Sequence, residues 1–361
     1  MDSHNISNKR WREIDALRGL AVLLMVFSHA LRWTYEKDPL NIISLFGNLT
    51  PGDMATPMFY MAAGLSLYFS LRSHLQRSLD PSDLQKRYAR RLGKLFFIGV
   101  TMSLAWGVLQ AQAITLLIIV CFTIAMARLQ VFHAMRICFP AIIVGALTAH
   151  LLMTNINLPS FWELILAGQF PLFAILAINA TGFYLASYLQ STTFFPVVTG
   201  MGVSFIGTAL ILGERGAFIE RYGASPSFLL LGLGLSFLLL AIFHFQFLQR
   251  TALFTYLTQI GKDALFLFVF HYAVFFLPLH FGGILGTMDA ASALIYSGGV
   301  VTAVIITAKL RQHSTLMVYD LLDMIFATVY AYLLRPTVYV QRTLVSRPSS
   351  YPREAEMWFP R

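Results

Sequence analysis

Long apolar stretches alternate with short polar segments along most of this chain, and reading in windows of about 20 residues gives spans near 14–33, 53–71, 95–110, 113–127, 137–153, 164–189, 194–213, 226–247, 264–281 and 291–308. That pattern predicts an all-α fold, a polytopic membrane helical bundle of about ten transmembrane helices. Ser314 to Leu334 is also long enough to cross, yet Asp320 and Asp323 sit one turn apart within it. Crossing would carry Arg335, Arg342, Arg347 and Arg353 to the far side. An interfacial helix is the preferred reading, with an eleventh span as the alternative. The chain thus divides into an N-terminal tail over 1–12, a membrane domain over 13–310, and an interfacial helix with a flexible tail over 311–361.

Composition sharpens this picture. Only 12% of the residues are charged and 57% are hydrophobic, with a mean hydropathy of +0.67, too little polar surface to solvate a globule of this size. The net charge of +9 could suggest nucleic acid, but it sorts by membrane side instead. With the N-terminus inside, inner segments hold sixteen Lys and Arg and outer loops hold four, Arg32, Lys37, Arg215 and Arg221. That bias predicts a multi-pass integral membrane protein with a cytoplasmic N-terminus, placed by type in a bacterial inner membrane. No stacking aromatics interleave the basic segments, so nucleic acid is rejected as a partner. Met1 to Arg12 is not a cleavable signal, because a full-length span and no small-residue cleavage site follow it. Cys121 and Cys138 fall in apolar stretches and read as small buried hydrophobes. The sequence holds no glycine-rich phosphate loop, serine elbow or metal-ligand spacing, and no metal is expected.

The chemistry lies in the few ionisable residues at membrane depth, where they are costly and mark pathways or sites. Arg18 and His29 share the first span. On an ideal helix the eleven residue steps from Arg18 to His29 turn about 1100°, so both side chains project within roughly 20° of each other, about 16 Å apart along the axis. One face carries a cation at one membrane surface and an imidazole beyond the midplane. Asp53 opens the second span near the outer edge, where it could orient that imidazole or serve only as a helix-start aspartate. Arg87, Arg91 and Lys94, with Arg90 beside them, form a cationic stripe on an inner helix. Such a stripe can hold phosphates, bind anionic headgroups of membrane lipids, or simply enforce topology. His271 lies about 10 Å into its span from the inner end and is either a site residue or a histidine bonded to a neighbouring helix. His150, His244 and His280 lie near span ends and read as interfacial.

Three blocks in this order resemble a known group. Glu13-Ile14-Asp15-Ala16-Leu17-Arg18-Gly19 with His29, Asp53 through Pro57-Met58-Phe59 to Gly64, and Ile260-Gly261 through Leu267 to His271 resemble the transmembrane acyltransferase superfamily. That group includes the acyltransferase-3 proteins and the heparan-α-glucosaminide N-acetyltransferase type. The resemblance spans residues about 10 to 310. It implies a ten-helix transferase that takes an acyl group, usually acetyl from cytoplasmic acetyl-CoA or another acyl-CoA, and delivers it across the membrane to a hydroxyl or amine of a glycan or small-molecule acceptor. His29 matches the histidine regarded as catalytic in acyltransferase-3 proteins, and Arg18 matches the arginine of their opening motif. In heparan-type proteins the catalytic histidine sits instead in the loop before the second helix. Residues 34–52 hold no histidine here, leaving His29 as the candidate.

On this reading His29 and Asp53 are catalytic. Arg18, Arg87, Arg90, Arg91 and Lys94 bind the phosphates of the CoA donor, and His271 binds substrate. The pantetheine arm of CoA is of the same order as the rise from Arg18 to His29, so the thioester could reach the imidazole without CoA crossing. His29 would act as a general base or form an acyl-histidine. The rival readings are a proton-coupled transporter or flippase for an anionic or lipid-linked substrate, with Arg18, His29 and His271 lining its path, and a non-catalytic membrane scaffold.

Overall fold

The computed structural model describes residues 11–44, 49–76, 80–103, 106–129, 132–189, 191, 194–214, 219–221 and 223–311. The expected tail over residues 1–10, and the interfacial helix and flexible tail beyond residue 311, lie outside the described residues. Within them every regular element is helical. In chain order these are α1 (Arg12–Thr34), α2 (Pro51–Gln76), α3 (Pro81–Met102), α4 (Val108–Arg128), α5 (Phe132–Met153), α6 (Ser160–Leu166) and α7 (Leu172–Ala186). They continue with α8 (Phe194–Glu214), α9 (Pro226–His244), α10 (Gln246–Gln249), α11 (Ala252–Lys262), α12 (Ala264–His271), a π-helical turn (Tyr272–Phe276), α13 (Leu277–Phe281) and α14 (Ala290–Arg311).

Six helical stretches are both long and apolar enough to cross a membrane: α1, α4, α8, α9, the continuous run from α12 to α13, and α14. The tenfold expectation is therefore met only in part. Helices occupy all ten expected regions, but some are too short or too polar to count by these criteria. The expected span 95–110 is displaced. Asp80 caps α3 through a bond from the Ser82 amide at 2.9 Å, with Pro81 at the first helical position, so the basic segment and the following apolar one form a single helix. That helix ends at Ser103, and α4 begins after Gly107. The expected span 164–189 is split, because Pro171 caps α7 and the segment before it leaves the helix.

α1 and α2 are the axis of the bundle. α1 packs on α2, α11 and α14, and α2 packs on α7 and α9. Glycines set the two closest approaches. A Cβ on Gly19 would collide with the Leu257 carbonyl of α11, and one on Gly261 with the Asp15 carbonyl of α1. Gly64 meets the Asn179 carbonyl of α7 in the same way, and Gly182 meets that of Met61. These contacts follow the small-residue mode of packing between membrane helices, where van der Waals contact rather than exclusion of water holds the helices together. They also pack the first and third sequence blocks directly against each other. Core residues such as Leu17, Met58, Met61 and Leu65 are fully enclosed, whereas Val144, Val203, Ile211 and Ile295 on α5, α8 and α14 remain exposed, as side chains facing lipid would be.

Candidate active site

The N-terminal part of α1 presents Arg18 as a tethered cation. Its Nη1 donates to Asp15 Oδ1 at 3.2 Å and to the Gly261 carbonyl at 3.1 Å, and its Nη2 donates to Ser66 Oγ on α2. One guanidinium thus ties α1, α2 and α11 together, and the Gly19–Gly261 contact brings the accepting carbonyl within reach. Beside it opens a cavity of about 520 Å³ lined by Arg18, Ser66, Ser70, Tyr88 and Gln112 and by the basic face of α3, namely Arg87, Arg90, Arg91 and Lys94. The heads of Arg87, Arg90 and Arg91 are exposed, while Tyr88 is buried and donates to Ser70 Oγ at 2.6 Å. All five cations expected to bind a donor line one cavity, an arrangement suited to an extended polyanion with an apolar tail.

Further along α1 lies a smaller pocket of about 60 Å³, lined by Met25, His29, Thr50, Asp53, Arg221 and Phe268 among others, with the exposed Arg32 on its wall. Its Asp53 is deeply engaged. Oδ2 accepts from the Thr50 amide at 2.6 Å and the Thr50 hydroxyl at 2.8 Å, and Oδ1 accepts from Arg221 Nη1 at 2.6 Å. The Arg221 guanidinium also lies over the Phe170 ring at 5.6 Å. Asp53 therefore shares the pocket with His29 but makes no hydrogen bond to it. Its carboxylate is the buried partner of Arg221, and the expected acid–imidazole bond is not formed.

The partner of His29 is another histidine. His29 Nδ1 lies 3.2 Å from His271 Nε2, and His271 Nδ1 lies 3.2 Å from the Leu267 carbonyl. A carbonyl oxygen can only accept, so His271 Nδ1 carries the hydrogen and, in a neutral ring, its Nε2 presents a lone pair. His29 Nδ1 must then donate, which leaves His29 Nε2 unprotonated. The network thus assigns the tautomer a general base or nucleophile needs. Trp33, one turn beyond His29, stacks on His271 at 5.5 Å and 13° and lies 5.4 Å from His29. His271 itself is fully enclosed and is not among the pocket-lining residues. It supports the His29 ring from behind, whereas the sequence had suggested contact with substrate. The π-helical turn begins directly after His271, a distortion common at functional sites.

Reading the sequence missed Arg221, Trp33, Ser66 and Phe268. Trp33 stood on the same helix as His29, four residues on, and could have been found from that spacing. Arg221 lies 168 positions from Asp53, and nothing local marks it. Among the described residues, no group of three or more His, Cys, Asp or Glu side chains is placed to hold a metal ion.

Comparison with known proteins adds a family to this geometry. The chain is 28% identical over 136 residues to the human (Homo sapiens) heparan-alpha-glucosaminide N-acetyltransferase, covering 33% of this chain and 20% of that protein. It is 29% identical over 135 residues to the mouse (Mus musculus) protein of the same name, with the same coverage. The matches thus take in about a fifth of the relatives' own length. A family model described as heparan-alpha-glucosaminide N-acetyltransferase, catalytic, matches residues 10–217, more than half of the chain and including Arg18, His29, Asp53 and the basic face of α3. On that match, this multi-helix membrane protein belongs to the heparan-α-glucosaminide N-acetyltransferase family of acyltransferases.

Proposed function

We propose that the protein transfers an acyl group, acetyl in the first instance, from a cytoplasmic acyl-CoA in the basic cavity to a hydroxyl or amine of a glycan-type acceptor in the His29 pocket. The observation that carries this reading is the arrangement of the two cavities in series along α1 and α2, basic at one end and ending at an imidazole with a free lone pair. Family membership favours transfer over the transporter and scaffold readings. In this proposal the bundle crosses the membrane about ten times, with the N-terminus and the basic face of α3 on the cytoplasmic side.

The acceptor's O–H or N–H gives its proton to His29 Nε2 as the acceptor atom attacks the thioester carbonyl carbon. The C–S bond breaks, and the CoA thiolate leaves, taking the proton back from the imidazolium. His271 acts as a positioning residue, holding the ring through Nδ1 and stabilising the positive charge that develops on it. Arg18, Arg87, Arg90, Arg91 and Lys94 hold the phosphates of the donor. Asp53 acts with Arg221 as a wall of the acceptor pocket, so His29 is the residue that carries the chemistry.

The test uses the purified chain in lipid nanodiscs with radiolabelled acetyl-CoA and a panel of amino-sugar and polysaccharide acceptors. Label should move to an acceptor with release of CoA, and His29→Ala should abolish transfer while CoA still raises the thermal stability of the protein. Transfer retained by folded His29→Ala protein would overturn the assignment. Flux of an intact solute into sealed vesicles without CoA release would favour transport.

A further inference from the structure

The basic cavity and the His29 pocket share one lining residue, Phe268 of α12. The two volumes follow one another along the same elements. On α2, Asp53 and Thr56 line the smaller pocket and Phe59, Ala63, Ser66 and Ser70 line the larger cavity, positions that repeat at three and four residues and so occupy one helix face. On α4 the change from one volume to the other falls between Val108 and Leu109. Phe268 lies at this junction. Its ring is 8% exposed and meets the His271 ring edge-on at 5.5 Å, so the support behind His29 also holds the aromatic wall in place.

We propose, on the reading that acyl-CoA occupies the basic cavity, that Phe268 is the partition between donor and acceptor compartments and limits the donor to short acyl groups, acetyl and at most propionyl. A thioester approaching from the basic side has to place its carbonyl carbon at the Phe268 ring for His29 to serve the attack. Its acyl chain then has only the space on the far side, about 60 Å³. A cavity of about 150 Å³ is what benzene, with six carbons, occupies in a protein interior. The far side therefore admits two or three heavy atoms, and it must also receive the attacking acceptor atom. Longer chains would press on Phe268, whose ring meets His271 edge-on, so displacing it would disturb the ring that positions His29.

The discriminating measurement is affinity, which needs no knowledge of the acceptor. Purified full-length wild type, Phe268→Leu and Phe268→Ala are titrated in nanodiscs with CoA, acetyl-CoA, butyryl-CoA and hexanoyl-CoA by isothermal calorimetry. An acyl chain lying in an open apolar cavity should gain about fourfold in affinity per methylene. The partition predicts the reverse for wild type, with hexanoyl-CoA bound at least tenfold more weakly than acetyl-CoA. Phe268→Ala should bring that ratio to unity or invert it, and Phe268→Leu should fall between. Should Phe268→Ala fail to bind CoA at all, Phe268→Leu decides, since it keeps most of the side-chain volume. Equal or rising affinity with chain length in wild type, or the same ratio in wild type and variants, would overturn the role of Phe268 while leaving CoA binding in place. Failure of wild type to bind CoA would overturn the donor assignment itself.

Discussion

Replacing Arg221 by methionine, with Asp53 left in place, isolates the role of the buried ion pair in the His29 pocket. The Asp53 side chain is 4% exposed and Arg221 14%, joined at 2.6 Å. Removing one member of a buried pair strands the other, at about 3–5 kcal/mol. Asp53 keeps the two bonds from Thr50, which places the expected loss near the lower end, about 3 kcal/mol. At about 2.1 cal/mol/K of unfolding entropy per residue, a chain of 361 residues loses roughly 1.3 °C per kcal/mol, so Arg221→Met should lower the unfolding midpoint by about 4 °C. Asp53→Asn combined with Arg221→Met removes both charges, and a buried pair replaced as a unit is often neutral, so the double variant should recover most of the loss. Thermal unfolding of the four proteins in one detergent, as a double-mutant cycle, reads this directly. A loss below about 2 °C for Arg221→Met, or a double variant no more stable than that single one, would refute the reasoning. The same set reports on catalysis. Were Asp53 the group that orients His29, Asp53→Asn would cost about 10⁴ in rate, as loss of the correct tautomer does in a serine-protease triad. With His271 in that position, the effect on rate should stay within about tenfold.

Further predictions follow from the same geometry. His271→Leu removes the acceptor for His29 Nδ1 and should lower kcat by about 10²–10⁴ with KM for acyl-CoA little changed, whereas His271→Gln, whose amide oxygen can accept that hydrogen, should restore at least tenfold of the loss in steady-state assays. Gly261→Ala drives a methyl group into the Asp15 carbonyl and should destabilise by about 1–3 kcal/mol. Gly93→Ala, with open space around its position, serves as the control in the same thermal scan and should be neutral or slightly stabilising. The Asp80 carboxyl is held below the usual carboxylate range by the amide of Ser82. Its contribution to α3 is therefore present above the unfolded value and disappears as pH falls through the lowered one. The stability difference between wild type and Asp80→Ala should accordingly vanish in strongly acidic buffer and be constant near neutrality.

Helix placement was largely legible because membrane-spanning segments announce themselves by length and apolarity. The exceptions have local causes. Pro171 breaks what read as one span, and the Asp80–Pro81 cap begins a single helix α3 that joins the basic stripe to the apolar segment read as a separate span from residue 95. In the site, Arg18 and His29 were found from helical phase alone, since both lie on α1 and the rotation between them is fixed. Arg87, Arg90, Arg91 and Lys94 were found from spacing on α3. What could not be read were the pairings between distant elements. Asp53 with Arg221 and His29 with His271 join positions 168 and 242 residues apart, and which acid or ring meets which depends on how α2, α9 and α12 settle around α1. Asp53 was consequently expected on the imidazole, and His271 on the substrate.

The grip of Arg18 on three helices bears on how the chain is assembled. Synthesis delivers α1 well before α11, and the Gly261 carbonyl that receives its guanidinium arrives more than 240 residues later. Through that interval α1 would enter a nascent bilayer with a bare cation, were Asp15 not one turn behind it on the same helix. The i, i+3 pair gives the newborn segment a partner of its own, neutralising in cis what the finished bundle later holds in trans.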